Sequence, residues 1–143
     1  MINKLSFSLI FAFAAVLVTL TSCEKDFKST VPDVPFTYVG YLTQPDLSSL
    51  TILTAVKIPN YGYRRHGIIL YRNEMDSFWA FDATCPNDLV DGSVVIDKDK
   101  PHEAVCPICK AVYSLMNGGV TAKGEPLKRY NTSFNGTTIT VYN

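Results

Sequence analysis

Two short proline-containing segments carry the residue types best suited to chemistry. Cys85-Pro86-Asn87-Asp88 and Cys106-Pro107-Ile108-Cys109 each begin with a thiol and offer a polar or sulfur group two or three residues later. Two loops of this kind can present four ligand atoms to one metal centre, and thiolates are ligands of zinc and of iron–sulfur clusters. The candidate ligands are Cys85, Asn87, Asp88, Cys106 and Cys109.

A histidine could also serve as a zinc ligand. His102 stands four residues before Cys106, an even step that places both side chains on one face of a continuous strand. A tetrahedral zinc site could therefore combine the three cysteines with either Asp88 or His102. The alternative interpretation of His102 is a solvent-facing side chain beside a turn.

The elements that must position these loops are strands. Short runs rich in β-branched and aromatic residues are separated by turn residues throughout the mature chain, and no sustained helical stripe is present. The pattern predicts strands at residues 37–39, 51–56, 67–72, 78–81, 94–97, 103–105, 111–115, 128–134 and 137–142. Alternation puts Phe78 and Ala80 on one face of their strand, with Trp79 and Phe81 on the other. The fold class is all-β.

The N-terminus indicates export and a lipid anchor. In residues 1–22, Lys4 precedes an apolar run of about 16 residues, which suits a secretory signal better than a membrane span of ~20. Leu20-Thr21-Ser22-Cys23 is similar to a bacterial lipobox, which predicts acylation of Cys23. We expect a signal peptide at 1–22, a lipidated flexible tether at 23–35 and one domain at 36–143, held in the bacterial cell envelope at the periplasmic face or the cell surface.

Composition narrows the classes of function. Without Lys4, the mature chain has 12 basic against 13 acidic residues, so its charge gives no reason to expect a nucleic-acid partner. No nucleophile with a paired base, phosphate-binding loop or carboxylate couple is apparent in the sequence. A redox or electron-transfer role is therefore the most that the sequence indicates as an activity.

The ordered motifs resemble the Rieske [2Fe–2S] superfamily, in particular lipoproteins of the Bacteroidetes type that lack the ligand histidines. The resemblance rests on Trp79 to Pro86 before the first loop, Ala104 to Pro107 before the second, Ala111 to Leu115 with Asn117-Gly118-Gly119 after it, and Gly124 to Leu127 with Tyr130. It implies antiparallel sheets with a small two-loop subdomain that binds a cluster. Cys85 and Cys106 then match the cysteine ligands of the buried iron, and Asn87 and Cys109 occupy the positions of the histidines.

The departures from the Rieske pattern leave three states open. A [2Fe–2S] cluster would use the three cysteines and either Asn87 or Asp88, at a lower potential than two histidines give. Zinc is the second option, and a domain without a cofactor is the third. In that third state a disulfide takes the place of the cluster, either Cys85–Cys106 across the loops or Cys106–Cys109 within one. Lys110 is a further departure, since the family usually has glycine there.

Two functions follow from these states. The first is a membrane-anchored electron-transfer protein with altered ligands, which requires a redox partner protein. The second is a structural or binding lipoprotein without a cofactor.

Overall fold

The computed structural model describes residues 28–143, so the predicted signal peptide and Cys23 lie outside the described residues. In this range the only helices are three short 3₁₀ turns, and none is long and apolar enough to cross a membrane. The strands are β1 (Thr37–Tyr41), β2 (Ala55–Ile58), β3 (Ile68–Arg72), β4 (Phe78–Asp82), β5 (Thr84–Cys85), β6 (Asp88–Ser93), β7 (Val95–Ile96), β8 (Glu103–Val105), β9 (Val112–Ser114), β10 (Val120–Thr121), β11 (Arg129–Phe134) and β12 (Thr138–Tyr142).

The larger sheet has six antiparallel strands in the order β1-β12-β11-β4-β3-β2. In β12, Ile139 and Val141 are fully buried, while Tyr142 is exposed. This alternation follows from the pleat of the strand, which sends neighbouring side chains to opposite faces.

Strand β4 separates two hydrophobic cores. Phe78 and Ala80 pack into a core formed by the large sheet and its short turns, as the predicted alternation requires. Phe81, on the other face, packs with Trp79 into a second core that also contains Cys85 and Cys106. The cysteine loops therefore extend from the second core, to which strands of the large sheet contribute side chains.

The loops belong to a smaller unit attached to this second core. A four-stranded antiparallel sheet, β10-β9-β8-β7, carries the second loop between β8 and β9. The two-stranded ribbon β5-β6 carries the first loop. The prediction of an all-β fold with antiparallel sheets and a small two-loop subdomain is confirmed.

The predicted strand at residues 51–56 is wrong over its first four residues. Residues 51–54 form a turn, in which Thr54 Oγ1 donates to the carbonyl of Thr51 at 2.9 Å, and β2 begins only at Ala55. A hydroxyl that bonds to its own backbone competes with sheet pairing, which is why a threonine-rich run need not be a strand.

The described part of the predicted tether packs against the domain. Val31 is only 3% exposed, Asp33 forms an ion pair with Lys128, and the Asn143 side chain donates to the Val34 carbonyl at 3.0 Å. Thr30 Oγ1 also reaches the carbonyl of Pro86 in the first loop, at 3.5 Å. Residues 30–34 are therefore part of the folded unit.

Candidate metal centre

The first loop is a tight reversal between β5 and β6. Cys85 pairs with Asp88, which leaves Pro86 and Asn87 as the turn. The close approach requires glycine at position 92, because a Cβ there would lie 2.7 Å from the Cβ of Cys85. Cys85 is fully buried, and the Asn87 backbone amide acts to lower the pKa of its thiol.

The second loop folds back on itself between β8 and β9. The backbone N–H of Cys106 donates to the Ala111 carbonyl at 2.9 Å, and that of Lys110 donates to the Cys106 carbonyl at 3.0 Å. Lys110 closes the reversal in the left-handed region, with φ of 60°, which costs a non-glycine residue roughly 1–2 kcal/mol. The Ala111 backbone amide acts to lower the pKa of the Cys109 thiol.

The two loops bring three sulfur atoms together. The Sγ atoms of Cys85, Cys106 and Cys109 all lie within 4.8 Å of one another, and those of Cys85 and Cys109 are 3.6 Å apart. All three are free thiols in the structure. Sulfurs on a tetrahedral metal at about 2.3 Å lie ~3.8 Å from one another, so this spacing suits a single metal ion.

Tyr113 is a member of the site that the sequence interpretation missed. Its hydroxyl lies 3.2 Å from the sulfur of Cys85, and its side chain is fully buried. The signal was present in the alternation of β9, because Ala111, Tyr113 and Leu115 all point into the second core. A phenol beside a thiolate can donate a hydrogen bond and so stabilise the charged sulfur.

The environment shifts the pKa values of Cys85 and Cys109 in opposite directions. Burial raises the pKa of Cys85 to about 11, against the opposing hydrogen bonds from Tyr113 and the Asn87 backbone. Burial also acts to raise the pKa of Cys109, but hydrogen bonds from the Ala111 backbone, the other two thiols and the Asn87 amide lower it overall. Burial is likewise the main cause that raises the pKa of Tyr113, which keeps its proton available for donation.

The remaining predicted ligands do not join the three sulfurs. The Asn87 Nδ2 atom donates to the Lys123 carbonyl at 2.6 Å and lies 3.9 Å from the Cys109 sulfur, so its nitrogen faces the thiols. Asp88 Oδ1 accepts from the Asp91 backbone at 3.1 Å. Within residues 28–143, neither Asp88 nor His102 belongs to the group that could share a metal.

This donor set decides which group fits. A [2Fe–2S] cluster takes four protein ligands, two on each iron. The structure assembles three thiols in one compact triangle and turns an amide nitrogen, which is not a ligand atom, toward the fourth side. The assembled residues fit one thiophilic metal ion that keeps its fourth position open, and they fall one donor short of the cluster.

No protein-family model and no curated protein matches the chain. Among solved structures, it is similar to the ferredoxin of carbazole 1,9a-dioxygenase from Nocardioides aromaticivorans IC177, with 18% identity, a TM-score of 0.47, and coverage of 76% of this chain and 97% of that one. It is also similar to a nitrite reductase small subunit, described as NADH-dependent, from Mycobacterium tuberculosis, with 16% identity, a TM-score of 0.45, and coverage of 78% and 97%.

Similarity at TM-scores below 0.5 assigns no ligand, substrate or partner to the chain. The geometry of the two loops is the evidence that bears on function.

Proposed function

We propose that this protein is a lipid-anchored, Rieske-like protein of the bacterial cell envelope that binds one metal ion through Cys85, Cys106 and Cys109. The convergence of three sulfur atoms within 4.8 Å, delivered by two separate loops, is the observation that carries the proposal. Two of the three thiols are fully buried, and unpaired buried thiols gain from a common positive partner once they ionise.

The backbone around the thiols supports a metal rather than a packing role. Asn87 and Ala111 each lie two residues after a cysteine, and their backbone amides act to lower the pKa of its thiol. Such amides, with the Tyr113 hydroxyl as a third group, stabilise thiolates and tune the potential of metal centres. A metal bound here would supply either structural cross-linking, as zinc does, or one-electron chemistry, as iron does.

The redox role depends on which metal is bound. With iron the domain would carry single electrons, and it would need a redox partner protein that approaches Cys109, the only one of the three thiols that is not fully buried. With zinc the centre would join the two loops and stabilise the subdomain. The anchoring part of the proposal rests on residues 1–23 of the sequence, namely the signal pattern and the lipobox cysteine.

A disulfide-stabilised protein without a metal is the second candidate, and one distance favours it. The sulfurs of Cys85 and Cys109 are 3.6 Å apart, so a small side-chain movement would bond them. Cell-envelope compartments are oxidising, which promotes such bonds. This pairing differs from the two bridges expected from the sequence, Cys85–Cys106 and Cys106–Cys109, which stay predictions.

Analysis of protein recovered from its native membrane tests these candidates. We expect one metal ion per chain, no labile sulfide and a mass that shows three reduced thiols. Cys109→Ser should lower metal content strongly, whereas Ile108→Ser, an exposed position in the same loop, should leave it unchanged. Two irons with two sulfides would show a cluster completed by a fourth ligand, and metal-free protein two hydrogens lighter would establish the disulfide.

A further inference from the structure

The segment of residues 28–33 lies beside the metal-centre loops. Thr30 lies against Pro86 in the first loop, and Val31 is buried in the domain surface. Residues 28–33 also line a cleft of about 680 Å³ together with Glu125, Lys128 and Arg129. The stretch just before Glu125 contacts the first loop as well, because the Lys123 carbonyl accepts a hydrogen bond from the Asn87 amide. The Thr30–Pro86 contact therefore places the segment of residues 28–33 directly at the first cysteine loop.

The distance from this point to the lipid is short. Seven residue steps separate Cys23 from Thr30, which span at most ~25 Å when fully extended. A domain of 116 residues has a radius of gyration of ~13 Å and hence a diameter of ~35 Å. Because the tether is shorter than the domain is wide, the end that carries the loops is the end that can reach the membrane most easily.

The same end exposes apolar side chains. Ile108, next to Cys109, is 52% exposed, and Val90, in the strand that follows the first loop, is 56% exposed. Val112, which pairs with Val105 at the base of the second loop, is also exposed. Isolated exposed apolar residues are ordinary, but beside a lipid attachment such side chains can enter the headgroup region of a bilayer.

We propose that the bilayer surface is the occupant of this face, so that the domain rests on the membrane with Ile108 and Val90 at the level of the lipid headgroups. The inference rests on the lipid anchor of the proposed function. It places the metal centre at the membrane surface. A redox partner protein would then be membrane-bound rather than free in the surrounding compartment.

Fluorescence quenching in vesicles tests this orientation. The mature lipidated protein, with Trp79 replaced by Phe, would carry a single tryptophan at Ile108 and be placed in phosphatidylethanolamine–phosphatidylglycerol vesicles that contain brominated lipids. The matched control is Met75→Trp, since Met75 is 67% exposed and lies in the turn at the opposite end of β4 from the cysteine loops. We expect several-fold stronger quenching for Ile108→Trp than for Met75→Trp.

A longer tether provides the second arm of the test. A Gly/Ser insert of about 40 residues between Lys25 and Asp26 has an r.m.s. length of ~35 Å. It should remove most of the difference in quenching between the two tryptophan probes, because a few apolar side chains alone bind a bilayer weakly. Equal quenching of the two probes in protein that floats with the vesicles would overturn the orientation while the anchor stands. Protein that does not float would overturn the anchor and, with it, this inference.

Discussion

At the scale of single residues, the three thiols differ in a way that suits stepwise metal capture. Cys109 is partly exposed and its pKa is lowered, so its thiol ionises more readily than that of Cys85. Cys85 is fully buried and holds its proton until a cation replaces it. We infer that a metal binds first to Cys109 and then displaces protons from the buried thiols.

The raised pKa of Cys85 makes the metal-free domain sensitive to alkali. A thiol whose pKa moves from 9.0 to about 11 on folding favours the folded state below pH 9, and that contribution is lost as the pH rises to 11. In reducing buffer, the free energy of unfolding in urea should therefore fall across this window, and it should fall less in Cys85→Ala. Cys109→Ala is the control, since its lowered pKa acts with the opposite sign. Equal slopes for wild type and Cys85→Ala would contradict the burial of this thiol.

Sequence reasoning identified the three cysteines but not their neighbours. The thiols could be found because their types and spacing are themselves the signal. Asp88 and Asn87 could not be placed, since a turn residue can satisfy its own backbone, as Asp88 does with the Asp91 N–H, instead of facing a ligand. The alternation of its strand predicts that Tyr113 is buried. Its place beside Cys85 follows only once that strand is positioned next to the first loop.

At the scale of elements, glycines with positive φ hold the loops in position. Gly124, at φ of 104°, faces the Asn87 amide so closely that any Cβ would collide with it. A Cβ added to Gly118, at φ of 80°, would instead have no atom within 4 Å. The two residues share the same backbone restriction, but only Gly124 supports the metal centre.

Alanine at these two positions should separate fold stability from metal binding. Gly118→Ala should lower the free energy of unfolding by roughly 1–2 kcal/mol, the cost of a left-handed non-glycine residue, and Gly124→Ala should lower it at least as much because its Cβ also meets the Asn87 amide. Only Gly124→Ala should also weaken metal affinity, because it displaces Asn87 and with it the first loop. Titration with zinc in reducing buffer measures this, and equal affinities for the two variants would show that Asn87 has no part in positioning the site.

Strand positions were the most predictable elements. The hairpin of β11 and β12 and the strand β4 follow from alternation, because one buried face imposes a period of two. The turn at residues 51–54 was not predictable in this way, since β-branched threonines favour strands by propensity but here bond to their own backbone.

At the scale of the whole molecule, one buried carboxylate joins the large sheet to the metal-centre subdomain. Asp82, at the end of β4, is fully buried and accepts hydrogen bonds from the Tyr130 hydroxyl at 2.5 Å and from the backbone N–H groups of Tyr63 and Thr84 at 2.6 Å. Thr84 begins the strand that carries Cys85. The position of the first sulfur is therefore fixed from the large sheet.

Asp82→Asn should be strongly destabilising. The amide would present an N–H group to one of these donors, and a buried unsatisfied or opposed polar group costs about 2–3 kcal/mol. Urea unfolding measures the loss, and Asp76→Asn, at an exposed position, should stay within ~0.5 kcal/mol of wild type. A variant of Asp82 as stable as wild type would mean that the two parts of the molecule are joined by packing alone.

The most direct test of the central claim is an X-ray absorption spectrum of the metal in protein recovered from its membrane. We expect a shell of three sulfur atoms at about 2.3 Å, which falls to two in Cys109→Ser. A shell made only of nitrogen and oxygen, or protein without metal in which two of the three thiols are bonded to each other, would contradict the claim that Cys85, Cys106 and Cys109 bind one ion together.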